Sequence, residues 1–355
     1  MTILISGAYG FVGSNLSRFL VERGHRCFAL DLASGEPPQR EGPRLSRPAS
    51  GPYAALWTWD DLAQIPWNEI DAVVHLAGKA HDLKKVSDPE SYFTVNVGLT
   101  EKLWAACAGK VGRFVYFSSI KAVDGDTPYA RSKAAAEAFL ESVAGGRTEI
   151  RVLRPCMIHG PGNKGNLNLL VQVVRKGIPW PLAAWENRRS FTSVANACAV
   201  VEALCGDAAR SVIGPYQRGD DAARSVIGPY QQGNDAARSV IGPYQVFALC
   251  DDEAVSTNRL IALIAEAMGR KARLWRLPKG LMRFVARVGD VLHLPLNTER
   301  LGKLVEDNVV DNVPLLRALG WESMPVRAED GLRSTLKSFF CEAGTIDDRR
   351  ETSGT

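Results

Sequence analysis

Three glycines near the start of the chain limit its folding more than any other feature. Gly7, Gly10 and Gly13 are spaced G-x-x-G-x-x-G within Gly7-Ala8-Tyr9-Gly10-Phe11-Val12-Gly13. Before them, Ile3-Leu4-Ile5 is a short apolar run, too brief for a helix, and it reads as a buried parallel strand. After them comes an amphipathic helix, with Phe11, Val12, Leu16, Phe19 and Leu20 inward and Ser14, Ser17, Arg18, Glu22 and Arg23 outward. Gly24 is positioned to end it. A second strand, Arg26 to Leu30, closes on Asp31.

This unit is built for an anion. A helix N-terminus leaves N–H groups unpaired and carries partial positive charge. A pyrophosphate reaches it only where the backbone comes close, which glycines permit. An acid after the second strand accepts hydrogen bonds from ribose hydroxyls and repels a 2′-phosphate, so Asp31 favours NAD over NADP. A glycine-rich turn that binds nothing is the plainer alternative, but the order strand, glycines, helix, strand, acid argues against it.

Alternating strands and helices continue to about residue 155 and predict a doubly wound parallel sheet. Asp71 to Gly78 reads as a strand ending in small residues, which suits backbone close to a cofactor. A helix is expected from Pro89 to Lys110, a strand from Arg113 to Phe117, a Pro-started helix from Thr127 to Val143 and a strand from Glu149 to Leu153. Ala33 to Ala55 reads as a surface loop, and Leu56 to Asp61 makes a poor third strand, so no adenine contact is assigned. Residues 1–155 are therefore expected to form the NAD-binding domain. Residues 156–340 would form mostly a substrate lobe, with some elements returning to the sheet. The polar tail, 341–355, would be disordered.

Within the second part, Asp-Ala-Ala-Arg-Ser-Val-Ile-Gly-Pro-Tyr-Gln occurs three times, from Asp207, Asp221 and Asp235. The period suits no solenoid or propeller, and 207–245 reads as a tandem duplication looped out on the surface. Helices are expected at Leu167–Lys176, Ser193–Leu204, Ser256–Met268, Gly280–Val291 and Leu315–Trp321, with a strand at Val246–Cys250.

A net charge of +4 in 355 residues gives no case for nucleic acid. No apolar run reaches membrane-spanning length, and no signal peptide precedes the first strand. The seven cysteines lack a C-x-x-C and fit buried free thiols in a reducing cytoplasm; no cluster has metal-ligand spacing.

Tyr129 and Lys133 lie one helical turn apart. An ammonium beside a phenol stabilises phenolate, which would make Tyr129 an acid or base near neutral pH. Ser118 and Ser119, ending the neighbouring strand, could hydrogen-bond the same substrate oxygen. Tyrosine and lysine at this spacing are common; their place after the two serines gives the pair weight.

With these motifs the chain resembles the extended short-chain dehydrogenase/reductase family, and within it the NAD-dependent epimerase/dehydratase group, which includes bacterial UDP-glucose and other UDP-sugar 4-epimerases and 4-keto-sugar reductases. Besides the glycine triad and Asp31, the matching segments are His75-Leu76-Ala77-Gly78, Asn96-Val97-Gly98-Leu99-Thr100, Ser118-Ser119-Ile120-Lys121, Tyr129 to Lys133, Arg154-Pro155 through His159-Gly160-Pro161, Asn187-Arg188-Arg189-Ser190 and Leu319-Gly320-Trp321. The resemblance implies a Rossmann sheet with a smaller C-terminal substrate lobe. It implies that Tyr129 exchanges a proton with the sugar 4-hydroxyl, that Lys133 holds the nicotinamide ribose and that Ser119, with Ser118, polarises O4. The cofactor contacts would be Gly7, Tyr9, Gly10, Phe11, Val12, Gly13, Asp31, Leu76, Ala77, Gly78, Asn96, Tyr129, Lys133 and Pro155. Arg189 would grip the nucleotide diphosphate, with Arg300 a second candidate. Lys79 and His81 could reach the substrate but are loop residues at the cleft rim before they are ligands; Asn166 lies in a polar loop that either touches the sugar nucleotide or is a solvated turn. A homodimer through the helices at 89–110 and 127–143 is also implied. The chain departs from the pattern where a third Ser or Thr is usual (Ile120), in a short Ser119–Tyr129 segment, and in Val123-Asp124-Gly125 for V-Y-G.

Some residues have a plain reading beside a sharp one. His75 is a packed core histidine before it is a catalyst. Cys156 is a buried thiol before a neighbour of nicotinamide. Trp180 and Trp185 stack on a uracil or pack the lobe.

Three functions follow. The first is an NAD-dependent nucleotide-sugar 4-epimerase, with an NAD(P)H-dependent 4-keto-sugar-nucleotide reductase of surface-polysaccharide synthesis as its near alternative. The second is a non-catalytic dinucleotide-binding redox sensor. The third is a small-molecule carbonyl reductase.

Overall fold

The computed structural model of the chain describes residues 1–32, 52–80, 88–123, 125–163, 167–206, 243–292 and 296–351. In chain order the elements are β1 (Thr2–Ser6), α1 (Phe11–Glu22), β2 (Arg26–Asp31), β3 (Tyr53–Thr58), β4 (Ala72–His75), α2 (Glu90–Asn96), α3 (Gly98–Cys107), β5 (Arg113–Phe117), α4 (Pro128–Ser142), β6 (Glu149–Pro155) and β7 (Met157–His159). They continue with α5 (Leu167–Arg175), β8 (Arg188–Arg189), β9 (Phe191–Ser193), α6 (Val194–Cys205), β10 (Tyr244–Leu249), β11 (Val255–Ser256), α7 (Thr257–Ala267), α8 (Lys279–Leu292), α9 (Thr298–Val305), α10 (Val313–Leu319) and α11 (Ala328–Glu351).

The chain divides into two compact units. The first comprises Met1–Cys156, Val194–Leu249 and Asn312–Ser323. Its seven-stranded sheet has the order β10-β6-β5-β4-β1-β2-β3, and every pairing is parallel. The strand order reverses between β1 and β4, which makes the sheet doubly wound. In such sheets ligands bind outside the carboxyl ends of the strands, at this reversal. Leu4, Val73, Phe114 and Ile150, one from each of four adjacent strands, enter a single core with Leu103 and Leu140 from α3 and α4. Fully burying side chains of this size is worth ~1.5–3 kcal/mol apiece.

The second unit comprises Met157–Ser193, Cys250–Asp311 and Met324–Thr355. It holds two small sheets, β7 beside β9 (parallel) and β8 beside β11 (antiparallel). One core gathers Leu167, Leu260, Ile264 and Leu332; another gathers Trp180, Trp185, Ile261, Met282 and Leu301.

Several sequence expectations change. Ser17 faces inward, not outward: the buried stripe of α1 is Gly13, Leu16, Ser17 and Leu20. Its hydroxyl is satisfied locally by the Ser14 carbonyl at 3.2 Å, so a small polar residue can enter the core. The loop expected to end at Ala55 gives way to β3 at Tyr53, where the Tyr53 hydroxyl donates to the Ala8 carbonyl at 2.6 Å. The single helix expected over 89–110 is divided at Val97, next to Gly98, a poor helix former. α9 and four short strands, β7, β8, β9 and β11, were not expected from the sequence. α11 was not expected either, and it runs past Cys341 to Glu351, into the segment read as a disordered tail. Trp180 and Trp185 are buried in the second core, which decides for packing over base stacking. Of the repeats, residues 207–242 lie outside the described residues, and the last copy finishes in β10, where Tyr244 pairs with Ile150.

Candidate active site

The first βα turn forms as its glycines require. Gly7 has φ +67°, and its N–H donates to the Leu30 carbonyl at 2.9 Å, joining the turn to β2. A Cβ on Gly7 would lie 2.8 Å from the Ala77 nitrogen, so only glycine lets the backbone after β4 come alongside. A Cβ on Gly13 would collide with the Gly7 carbonyl oxygen and lie 2.6 Å from that of Ala8, so α1 starts directly against the turn. Phe11, Val12 and Gly13 are its first three helical residues. Asp31, ending β2, accepts from the Tyr9 N–H at 2.9 Å and the Leu32 N–H at 2.8 Å.

Leu76, Ala77 and Gly78 follow β4 and lie against this turn: the Leu76 N–H reaches the Ser6 carbonyl at 3.1 Å and the Ala77 N–H the Ser6 hydroxyl at 3.3 Å. Asn96, buried at the end of α2, fixes the next stretch. Its Oδ1 accepts from the Lys79 N–H at 2.7 Å, and its Nδ2 donates to the Ser132 hydroxyl at 2.8 Å and the Lys79 carbonyl at 3.2 Å. Pro155 ends β6, paired with Leu249.

Pro128 opens α4, and the Thr127 hydroxyl caps it by accepting from the Ala130 N–H at 3.2 Å. This start sets Tyr129 in the first turn and Lys133 in the second. The Tyr129 ring meets the Tyr92 ring edge-on at 6.3 Å, and its phenol is hydrogen-bonded to the Ser119 side chain. The buried Lys133 Nζ donates to the Phe117 carbonyl at 2.8 Å and to the Tyr116 hydroxyl at 3.3 Å. Burial brings its pKa down to about 8, with Glu137, one turn on, pulling upward.

This corrects one expectation. Burial raises the Tyr129 phenol above its ordinary value, and the pull downward comes from the Ser119 hydroxyl rather than from the Lys133 ammonium. The ammonium is directed instead to the end of β5, at Phe117 and Tyr116. Ser118 and Ser119 are both buried, and the Ser118 hydroxyl has no partner among the described residues.

Sequence reasoning missed a buried polar chain behind Lys133. Tyr116 hydrogen-bonds Thr100, whose Oγ1 lies 3.0 Å from His75 Nε2; His75 Nδ1 lies 2.6 Å from the Ser6 hydroxyl. The Thr100 proton is committed to the Asn96 carbonyl at 2.7 Å, so His75 must donate from Nε2 and accept at Nδ1. Burial and the Lys133 charge push the His75 pKa down to about 3, so the ring is neutral. The plain reading of His75 as a core histidine is correct, but it carries a polar function there. The clue in the sequence was three polar side chains, Ser6, His75 and Tyr116, at or near the carboxyl ends of otherwise apolar strands.

The remaining candidates are dispersed. Lys79 is half-buried and its Nζ donates to the Ser91 hydroxyl at 2.6 Å. Cys156 is buried. In the second unit, Arg189 lies in β8 and donates to the Lys303 carbonyl, while Arg300 is exposed in α9. His81 and Asn166 lie outside the described residues.

The first unit's residues fit NAD. The glycine turn leaves a cradle that a Cβ would fill, the Asp31 carboxylate stands at the end of β2, and the Ser118 hydroxyl is buried without a partner. Lys133 has engaged two of its three donors, leaving one for a ribose hydroxyl. Among the described residues no His, Cys, Asp or Glu group could hold a metal, and no helix is long and apolar enough to cross a membrane.

A parallel doubly wound sheet with this turn and a buried lysine defines a dinucleotide-dependent enzyme of the short-chain type. Residues 3–213 match the NAD dependent epimerase/dehydratase family, and the chain belongs to it. It is 25% identical over 360 residues to a UDP-glucose 4-epimerase of Vibrio cholerae, covering 96% of this chain and 95% of that one. Its fold is similar to the solved structure of UDP-glucose 4-epimerase with UDP-glucose from Thermotoga maritima (TM-score 0.63, 18% identity, 97% and 100% of the two chains). It is likewise similar to that of UDP-glucuronic acid 4-epimerase from Bacillus cereus in complex with NAD (TM-score 0.62, 18% identity, 95% and 96% of the two chains). The chain is thus an enzyme of the epimerase/dehydratase type with NAD as cofactor.

Proposed function

We propose that this enzyme is a nucleotide-sugar 4-epimerase acting reversibly at C4 of a UDP-hexose. The observation that carries the reading is the Tyr129 phenol hydrogen-bonded to Ser119 at the carboxyl end of the sheet, on the helix that carries Lys133. When bound, NAD supplies the acceptor and donor of the C4 hydride. Tyr129 takes the proton from the 4-hydroxyl and returns it after the keto-sugar has turned over. Ser119 holds O4 by a hydrogen bond, and Ser118 lies beside it in sequence. Lys133 holds the nicotinamide ribose. Arg189, with Arg300, binds the nucleotide diphosphate, and Lys79, His81 and Asn166 contact the sugar nucleotide. The cofactor contacts are those named from the sequence, from Gly7 to Pro155.

The UDP-glucose bound in the Thermotoga maritima structure supports this substrate class, as does the Vibrio cholerae relative, and the NAD of the Bacillus cereus structure supports the cofactor. We infer a homodimer formed through α2, α3 and α4, and a cytoplasmic location in keeping with six buried free thiols among the described residues.

The test is interconversion of UDP-glucose and UDP-galactose followed by NMR. Tyr129→Phe is expected to lower turnover by about 10³-fold while NAD remains bound. Arg189→Ala is expected to raise KM and leave kcat largely intact. If the unmutated protein interconverts no 4-epimers but consumes NADH with a 4-keto nucleotide sugar, it is the reductase of surface-polysaccharide synthesis. If it binds NAD and does neither, the sensor reading replaces this one; Ile120, where a third Ser or Thr is usual, keeps that reading in play, and the intact Tyr129 and Lys133 argue against it.

A further inference from the structure

One helix of the second unit carries an apolar surface formed by none of the residues proposed to hold NAD or substrate. α8 is buried along Met282, Ala286 and Gly289, spaced i, i+4, i+7, and Met282 and Ala286 join the core of Trp180, Trp185 and Leu301. That face accounts for its packing. A second apolar stripe remains outside it. Leu281, Phe284, Val285, Val291 and Leu292 are 47%, 64%, 38%, 76% and 62% exposed, with Val288 half-buried between them. At 100° per residue these six share one arc of about 120°. Lys279, Arg283 and Arg287 occupy the next arc, all exposed, with Asp290 among them and the Lys279 ammonium 5.8 Å from the centre of the Trp185 ring.

The charge here is lopsided. From residue 270 to 289 there are seven cations (Arg270, Lys271, Arg273, Arg276, Lys279, Arg283 and Arg287) and no acid, against +4 for the whole chain. None of the seven forms an ion pair among the described residues; Arg270 and Arg273 instead donate to the carbonyls of Arg175 and Gly177. Asp290, the one acid of α8, accepts from Thr298. Trp275, just before the helix, is 55% exposed.

We propose that α8 seats this protein on the surface of an anionic phospholipid bilayer, its outer stripe sunk at the acyl boundary and its cations among the headgroups. A large amphipathic moment with Lys and Arg bordering an aliphatic and aromatic face is the pattern of a helix lying in the membrane interface. At 14 residues it is far too short to span. A second copy is a poor occupant, because a two-fold contact through this face would set the row Lys279, Arg283 and Arg287 against its own copy. Nucleic acid would use the cations and leave the stripe in water. The lipid occupant satisfies both halves. Each cation near an anionic surface strengthens binding about fivefold. This inference stands apart from the epimerase reading, since none of its residues is among those proposed to hold NAD or the sugar nucleotide.

The full-length protein, loaded with NAD, is sedimented with phosphatidylcholine vesicles and with mixed phosphatidylcholine–phosphatidylglycerol vesicles. Sedimentation with the mixed vesicles alone, weakening as salt rises, is expected. The double change Arg283→Gln and Arg287→Gln should weaken it by about twentyfold or more. Leu281→Ser with Phe284→Ser should abolish it with little change in melting temperature, both residues being exposed. Failure to sediment with either vesicle overturns the proposal, as does sedimentation that Leu281→Ser with Phe284→Ser leaves unchanged. A dimer that those serine substitutions split, with no vesicle binding, assigns the face to a second copy instead.

Discussion

Two polar clusters, one in each unit, sit in opposite surroundings. In the first, Lys133, Tyr116, Thr100, His75 and Ser6 form one hydrogen-bonded chain, and every member is buried. In the second, Arg259 bridges Glu329 at 2.7 Å and Glu266 at 2.9 Å, and Arg333 reaches Glu266 at 2.8 Å. These ion pairs have side chains 36–44% exposed. The distances match; the surroundings do not. Water replaces a lost partner at the surface at little cost, whereas a buried group left alone pays its full desolvation. Short polar contacts therefore say little about importance until burial is known.

The contrast can be broken at several points. The largest effect is expected where backbone packs on backbone beneath the buried chain. Gly13→Ala forces a methyl onto the Gly7 and Ala8 carbonyls and should cost about 3 kcal/mol in denaturant unfolding, with NAD binding lost. A fully stable variant would mean that the turn relaxes freely.

Next is His75. Its folded pKa of about 3 lies below the ordinary 6.5, so between those values the unfolded chain binds a proton that the folded chain does not. Stability then rises with pH across that window and is fully present above about 6.5. At pH 5 the loss from this one group is ~2 kcal/mol. His75→Gln should flatten the stability slope between pH 7 and 5, whatever it does to stability at pH 7. An unchanged slope would place the titrating group elsewhere.

Smaller still is Tyr116→Phe. It deletes one acceptor of the Lys133 ammonium, so the charged form loses support and the lysine pKa falls below about 8. The alkaline limb of kcat should move down by about one pH unit, equivalent to ~1.4 kcal/mol, with KM little altered. A stationary limb would show that the Phe117 carbonyl alone holds the lysine.

The smallest effect belongs to the exposed cluster. Arg259→Met should change stability by less than about 1 kcal/mol, and less again at high salt. A larger loss would erase the contrast between the two clusters.

Much of the first unit was legible. Gly7, Gly13 and Asp31 act through local geometry: a positive φ, a helix start and a strand end are written in a few adjacent residues. The α4 start was legible for the same reason, since Thr127 and Pro128 fix its first turn. The second unit was harder to read. β8 is two residues long and owes its pairing with β11 to residues some 65 positions away in sequence, so no periodicity announces it. The inward turn of Ser17 depends on its Ser14 acceptor and on β2 and β3 packing beside it.

By itself the sequence determined most of the first unit's strands and helices, the cofactor turn and the placing of Tyr129 one helical turn before Lys133, because apolar periodicity, glycine and proline act over a few residues. Only the tertiary structure decided where the lysine ammonium points, which hydroxyl tunes the phenol and that His75 stays neutral. Those depend on burial and on partners from separate strands, and a group's desolvation is known only once the chain around it has packed.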